Sequence, residues 1–187
     1  MGAQFWTAPL AVAPIDGTAL ANSTAATSIL PAQSVLSLPA NYLYVGKALR
    51  IRAMGRVSNI VTTPGTLTFN VRFGAVTVAT SGALPLNVVA KTNVTWRLDW
   101  LLTCRSIGNG TTATMMHGGG WKSESVIASP AAGAGGQSEL LFPASAPAVG
   151  TGFDSTAAQA VDLQAQWSIA NAGNSIQLHQ YVLEEIG

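Results

Sequence analysis

Charge is scarce in this chain of 187 residues: 9% of positions are Asp, Glu, Lys or Arg, against roughly 25% in an average soluble domain. Nine basic and eight acidic residues leave a net charge of +1. The strongly positive field of the usual nucleic-acid-binding surface is therefore missing, and no nucleic-acid partner is expected. Cysteine is scarcer still. Cys104 stands alone, which excludes an intrachain disulfide and a thiolate zinc cluster. No run approaches the ~20 apolar residues of a membrane span. The apolar opening, Met1–Gly17, carries no basic region, so neither a secretion leader nor a membrane partner is expected. A sustained 3.6-residue apolar period is also lacking, which limits helix to a turn or two.

What the chain does have is alternation. Trp96–Leu98–Trp100–Leu102–Cys104 and Val161–Leu163–Ala165–Trp167–Ile169 place apolar residues at every second position. Leu67–Phe69–Val71–Phe73 and Ile176–Leu178–Gln180–Val182 do almost the same. A strand points successive side chains to opposite faces, so each run presents one apolar face to a core. With 48% apolar residues, the chain has the reverse of a disordered composition. The expected fold is all-β: an antiparallel jelly roll or β-sandwich, with residues 18–187 as a single domain and residues 1–17 as an extended N-terminal arm.

Turn chemistry divides the strands. Thr63-Pro64-Gly65 has proline followed by glycine, and Asn109-Gly110 is a favoured hairpin pair. Strands are expected from Lys47 to about Ile60, over Leu67–Phe73, near 75–80, over Val94–Ile107 and over Thr112–Lys122. Residues 160–170 and 175–184, joined by Asn171-Ala-Gly-Asn174, look like a closing hairpin. Gly118-Gly119-Gly120 interrupts a strand, the mark of a bulge or of close approach by another backbone. With short strands also expected near 138–142 and 149–154, eight or nine strands result.

Chemistry is hard to find. His117 and His179 lie in different hairpins, without a metal-binding spacing, and no nucleophile elbow or phosphate-cradling loop occurs. No catalytic residue, metal ligand or cofactor site is assigned, and the chain is not read as an enzyme. Cys104 shares the apolar register of Trp96 and Trp100, as a core thiol does. The anomaly lies on the supposed solvent faces. Leu101 is in register with Arg97, Asp99 and Arg105, and Tyr181 and Leu183 are in register with Gln177 and His179. Large apolar residues there imply a second buried surface. Leu101, Arg97, Asp99, Arg105, Tyr181 and Leu183 are thus candidate subunit-interface residues, with Arg97 and Arg105 placed to pair with Asp99 of a neighbouring copy. Phe5, Trp6 and Leu10 make the arm a candidate contact for a larger partner.

Tyr42-Leu-Tyr-Val-Gly-Lys-Ala-Leu-Arg-Ile-Arg-Ala53, Thr95-Trp-Arg-Leu-Asp-Trp100 and Gln166-Trp-Ser-Ile-Ala-Asn-Ala-Gly-Asn-Ser-Ile-Gln-Leu178 resemble structural proteins of tailed-phage virions. The chain is most similar to small jelly-roll proteins that decorate or cement capsids, some of which form head fibres. That resemblance implies a homotrimer on the capsid surface that binds the major capsid protein, bridges capsid subunits, and has no turnover and no cofactor. The alternative is a receptor- or carbohydrate-binding jelly roll of a phage fibre, with Trp121, His117, Asp154 and Tyr181 as its candidate residues.

Overall fold

The computed structural model describes residues 7–128, 137–143 and 148–186. Fourteen strands run in chain order: β1 (Thr7–Val12), β2 (Leu20–Ala21), β3 (Thr27–Ser28), β4 (Leu36–Leu38), β5 (Ala48–Asn59), β6 (Thr66–Phe73), β7 (Val76–Thr80), β8 (Leu84–Pro85), β9 (Lys91–Ser106), β10 (Thr114–Ile127), β11 (Gln137–Phe142), β12 (Ala148–Val149), β13 (Gln159–Trp167) and β14 (Ser175–Ile186). Among the described residues the only helical piece is a 3-10 turn, Ala32–Ser34. Two antiparallel sheets result. The larger has the order β1-β14-β5-β9-β10-β11, with β2 on β14 and β12 on β10; the smaller has β3-β13-β6-β7, with β4 on β13 and β8 on β6. The chain is a β-sandwich.

Each alternation supplies one inner face. β6 buries Leu67, Phe69, Val71 and Phe73; β9 buries Trp96, Leu98, Trp100, Leu102 and Cys104; β13 buries Val161, Leu163, Ala165 and Trp167. Rings from both sheets meet in the middle. Phe69 lies 5.6 Å from Trp96 and 5.9 Å from Trp121, edge-on to the latter, while Phe73 meets Phe153 edge-on at 5.0 Å. Such edge-to-face pairs add to the area term of burial.

Two expectations are corrected. Residues 160–170 and 175–184 do not form a hairpin: β13 belongs to the smaller sheet and β14 to the larger, so Asn171–Asn174 carries the chain from one layer to the other. Asn174, fully buried, holds that crossing by donating to the Pro64 carbonyl at 2.8 Å and accepting from the Ile60 amide at 3.0 Å. The second correction concerns the apolar face of β14. Ile176 and Leu178 point inward, but a bulge between Leu178 and Gln180 inserts one residue, and the parity inverts. Tyr181 and Leu183 then become core residues, 2% and 0% exposed, and Gln180 and Val182 turn outward.

The bulge is built by its neighbours. Gly55 lies opposite, where a β-carbon would stand 1.9 Å from the Gln177 carbonyl oxygen. The Trp96 indole donates to that same oxygen at 3.2 Å and to the Arg56 carbonyl at 3.1 Å. Residues 7–17, read as an arm, lie along β14 of their own domain: Thr7 is in register with Ile186, and Gly17 donates to the Leu178 carbonyl at 2.9 Å. Leu10 is half-buried against the core. Phe5 and Trp6 lie outside the described residues.

Candidate docking face

The outer face of the large sheet gathers a cluster of charged side chains. Arg50 and Arg52 project from β5, Arg97, Asp99, Leu101 and Arg105 from β9, Lys122 from β10, Glu139 and Leu141 from β11, and Glu184 from β14. Strand pairing aligns them in rows, with Arg50 beside Leu101 and Gly118, Arg52 beside Asp99 and Gly120, and Lys122 beside Arg97 and Glu139. The pattern is alternation with Arg and Asp at the polar positions, so sheet geometry alone brings them together.

Most of these charges are matched within the chain. Arg50 grips Asp99 with two parallel hydrogen bonds, Nε to Oδ1 at 2.9 Å and Nη2 to Oδ2. Arg52 pairs with Glu184, and Lys122 Nζ lies 3.0 Å from Glu139 Oε1. The Arg50 guanidinium, helped by Arg97 and Arg52, holds the Asp99 carboxyl below the usual carboxylate range. Among the described residues neither Arg97 nor Arg105 has an ion-pair partner. Within the chain the Asp99 carboxylate, the expected partner of Arg97 and Arg105 from a neighbouring copy, is held by Arg50.

Between the rows lies a groove of about 530 Å³. Its floor is Gly118 and Gly120, and Leu101, 44% exposed, and Leu141, 68% exposed, rise on either side. The three glycines have different causes. Gly119 faces inward, where a β-carbon would stand 2.3 Å from the Asp99 carbonyl oxygen and 3.0 Å from the Phe142 ring, so packing demands it. The Phe142 ring covers that position and meets Trp100 edge-on at 4.7 Å. Gly118 and Gly120 face outward. A β-carbon at Gly118 would meet nothing nearer than 3.8 Å, and one at Gly120 only the mobile end of Leu141 at 3.2 Å. Neither adopts a positive φ. The sheet has free space for a side chain at Gly118, one at Gly120 needs only the end of Leu141 to give way, and the absence of both opens the groove.

Of the six candidate interface residues, the structure places Leu101, Arg97, Asp99 and Arg105 together on this face. Tyr181 and Leu183 are removed by the β14 bulge. The binding residues proposed for a fibre module do not assemble either: Trp121, His117 and Tyr181 are 0%, 3% and 2% exposed, all in the interior. Asp154 sits at the surface, accepting from the Thr156 amide at 2.8 Å and hydroxyl at 2.6 Å, bonds that hold its carboxyl low. Burial lowers the pKa of His117, whose Nδ1 has no partner, and raises those of the Cys104 thiol and the Tyr181 phenol. Among the described residues no three potential metal ligands converge.

One site escaped the sequence reading. Lys47, 6% exposed, is held at the end of the large sheet by Glu185, whose Oε1 lies 2.8 Å from Nζ. The ammonium also lies 3.9 Å from the Tyr42 ring centroid and 5.1 Å from that of Tyr44. Tyr42 donates its hydroxyl to Glu185, and Lys47 and Tyr42 together hold that carboxyl low. The clustering of Tyr42, Tyr44 and Lys47 in sequence was the available signal. No protein-family model matches the chain, and no curated protein matches it.

Proposed function

We propose that this chain is a structural, non-catalytic module of a phage virion that stabilises the capsid exterior as a homotrimer, in the manner of jelly-roll cement proteins. One observation carries the reading: the outer face of the large sheet, where Leu101 and Leu141 stand exposed among charges already paired within the chain. Paired charges lose less on desolvation than free ones, because each carries its counter-ion into the contact. Exposed apolar side chains then supply the gain. The face is suited to lasting burial against protein. The sequence resemblance supports the particular partner, the major capsid protein, and a location on the capsid surface.

The test is co-sedimentation of the purified full-length protein with empty capsids of the phage whose genome carries the gene. Saturable binding at a fixed ratio to capsid subunits is the expected result. Failure to bind those capsids, together with binding to a defined oligosaccharide on a glycan array, overturns the proposal in favour of a receptor-binding module.

A further inference from the structure

The glycine-floored groove has an open position for a ring, and the described residues have one well-exposed ring to offer. On the inner side of the β10 glycines, Phe142 covers Gly119. On the outer side, Gly118 and Gly120 have no such cover. Among the described residues every Trp and Phe is buried, Tyr181 is buried, and Tyr42 is half-buried with its hydroxyl on Glu185. Tyr44 alone is an aromatic more than half exposed, at 52%, with Val45 beside it at 60%. The two sit at the tip of a tight turn, closed by the Lys47 amide donating to the Tyr44 carbonyl at 3.0 Å and made possible by Gly46 at φ +95°. A tight turn presents its side chains rigidly, so little freedom is lost on docking.

We infer that the Tyr44–Val45 tip of one copy docks in the Gly118–Gly120 groove of a second copy, and that this contact builds the oligomer. Three features of the groove match the tip. The glycine floor lets a flat ring lie against the strand, Leu101 and Leu141 flank it with apolar walls, and Arg97, without an ion pair among the described residues, brings its guanidinium to the rim. A guanidinium over a tyrosine face is an attractive pairing, stronger as water is excluded. The chain's own tip is out of reach: it precedes Ala48 at the start of β5, and the groove begins at the row of Arg50, Leu101 and Gly118, six residues along the chain from Tyr44. The contact is therefore between copies. Because knob and groove are separate patches, repetition of the contact closes a ring when the rotation is right, and three copies is the number that the sequence resemblance implies. The inference rests on the self-association in the proposed function and names the surface responsible.

The experiment measures the mass of the full-length protein by light scattering from about 1 to 100 µM, with capsid binding followed separately. Wild type is expected to be a trimer. Gly118→Val fills the groove from a position with free space, and Tyr44→Ala removes the knob. Both are expected to weaken association at least tenfold with an unchanged unfolding midpoint, whereas Tyr44→Phe assembles normally. Mixed Tyr44→Cys and Leu101→Cys chains should be joined between copies by a short bismaleimide, with buried Cys104 silent. A monomeric wild type overturns the inference. So does normal assembly of the Gly118→Val and Tyr44→Ala variants, or the absence of the mixed cross-link. Should Gly118→Val lower the unfolding midpoint, Tyr44→Ala and the cross-link decide. A trimer assembled through another surface leaves the proposed function intact, and a trimer of the inferred kind that ignores capsids overturns the function alone.

Discussion

The two sheets of this sandwich share one core but differ on their outer faces. The larger sheet presents Arg50, Arg52, Arg97, Asp99 and Lys122, locked largely into ion pairs, with Leu101 and Leu141 between them. The smaller sheet presents Thr66, Thr68 and Asn70 on β6, with Gln166 on β13. Its few charges are tied down locally: Arg72 donates to the Ala75 carbonyl at 2.6 Å, and Asp162 accepts from the Ser28 hydroxyl at 2.6 Å. Hydroxyls and amides hydrate readily and offer a partner little apolar area. In a chain with so few charges, their concentration on one face makes the two outer surfaces chemically distinct.

The largest effects belong to the shared inner layer, where the comparison should vanish. Trp100→Ala on the large sheet and Phe69→Ala on the small one each remove a fully buried ring. Each should cost about 3–5 kcal/mol in chemical unfolding. Cys104 should react with thiol reagents only after unfolding, since rapid labelling of the native protein would place β9 the other way round. Next come the glycines. Gly119→Ala drives a methyl into the Asp99 carbonyl and Gly55→Ala into that of Gln177, so each should cost about 1–3 kcal/mol as the backbone shifts. Gly118→Ala should change stability by less than about 0.5 kcal/mol. Equal costs at positions 118 and 119 would mean that the outer glycines are demanded by the sheet rather than by the groove.

The sequence was legible where alternation is unbroken. β6, β9 and β13 follow it, and from it the sandwich and most of the core were readable, because burial on one face leaves a period of two. It failed at β14, where a single inserted residue turned Tyr181 and Leu183 from expected interface into core. The warning was Gly55 in the facing strand, since a glycine inside a strand marks close backbone approach. The segments β2 and β8 were not readable either: with two residues each, they are too short to show a period. Four of the six expected interface residues stand together because they lie on one strand, where register is certain. The groove needed β11 beside β10, a pairing that local sequence does not announce.

Acid should act on the large sheet in two stages. Burial keeps His117 below its ordinary pKa of about 6.5, so the unfolded chain takes the proton first. Stability is then intact above about pH 6.5 and declines as the pH falls below it. Arg50 holds Asp99 low, and Lys47 with Tyr42 holds Glu185 low. Their contribution is present above about pH 4 and is lost as the pH falls through the folded-state values. Urea midpoints measured from pH 8 to pH 3 should show both declines. His117→Gln should abolish the first and leave the second. A first decline that survives the substitution would assign it to another group.

The smallest effects separate the two outer faces most sharply. The Arg50–Asp99 pair is bidentate, yet its side chains are 38% and 35% exposed, so solvent screens much of the attraction. A double-mutant cycle should return a coupling of about 0.5–1 kcal/mol for folding. On the small sheet, Thr68→Ala removes a half-buried hydroxyl with no demanding geometry and should lie within about 0.5 kcal/mol of zero. Stability therefore barely distinguishes the faces, whereas association should. Leu101→Arg adds a cation beside Arg97 and Arg50, which like-charge repulsion opposes in any contact that buries the face. It should abolish the oligomer and leave the unfolding midpoint within a few degrees of wild type, because Leu101 is already 44% exposed. Thr68→Arg should leave the oligomer untouched. If the small-sheet variant dissociates the protein and the large-sheet variant does not, the contact lies on the hydroxyl-rich face, and the paired charges serve only to keep the large sheet soluble.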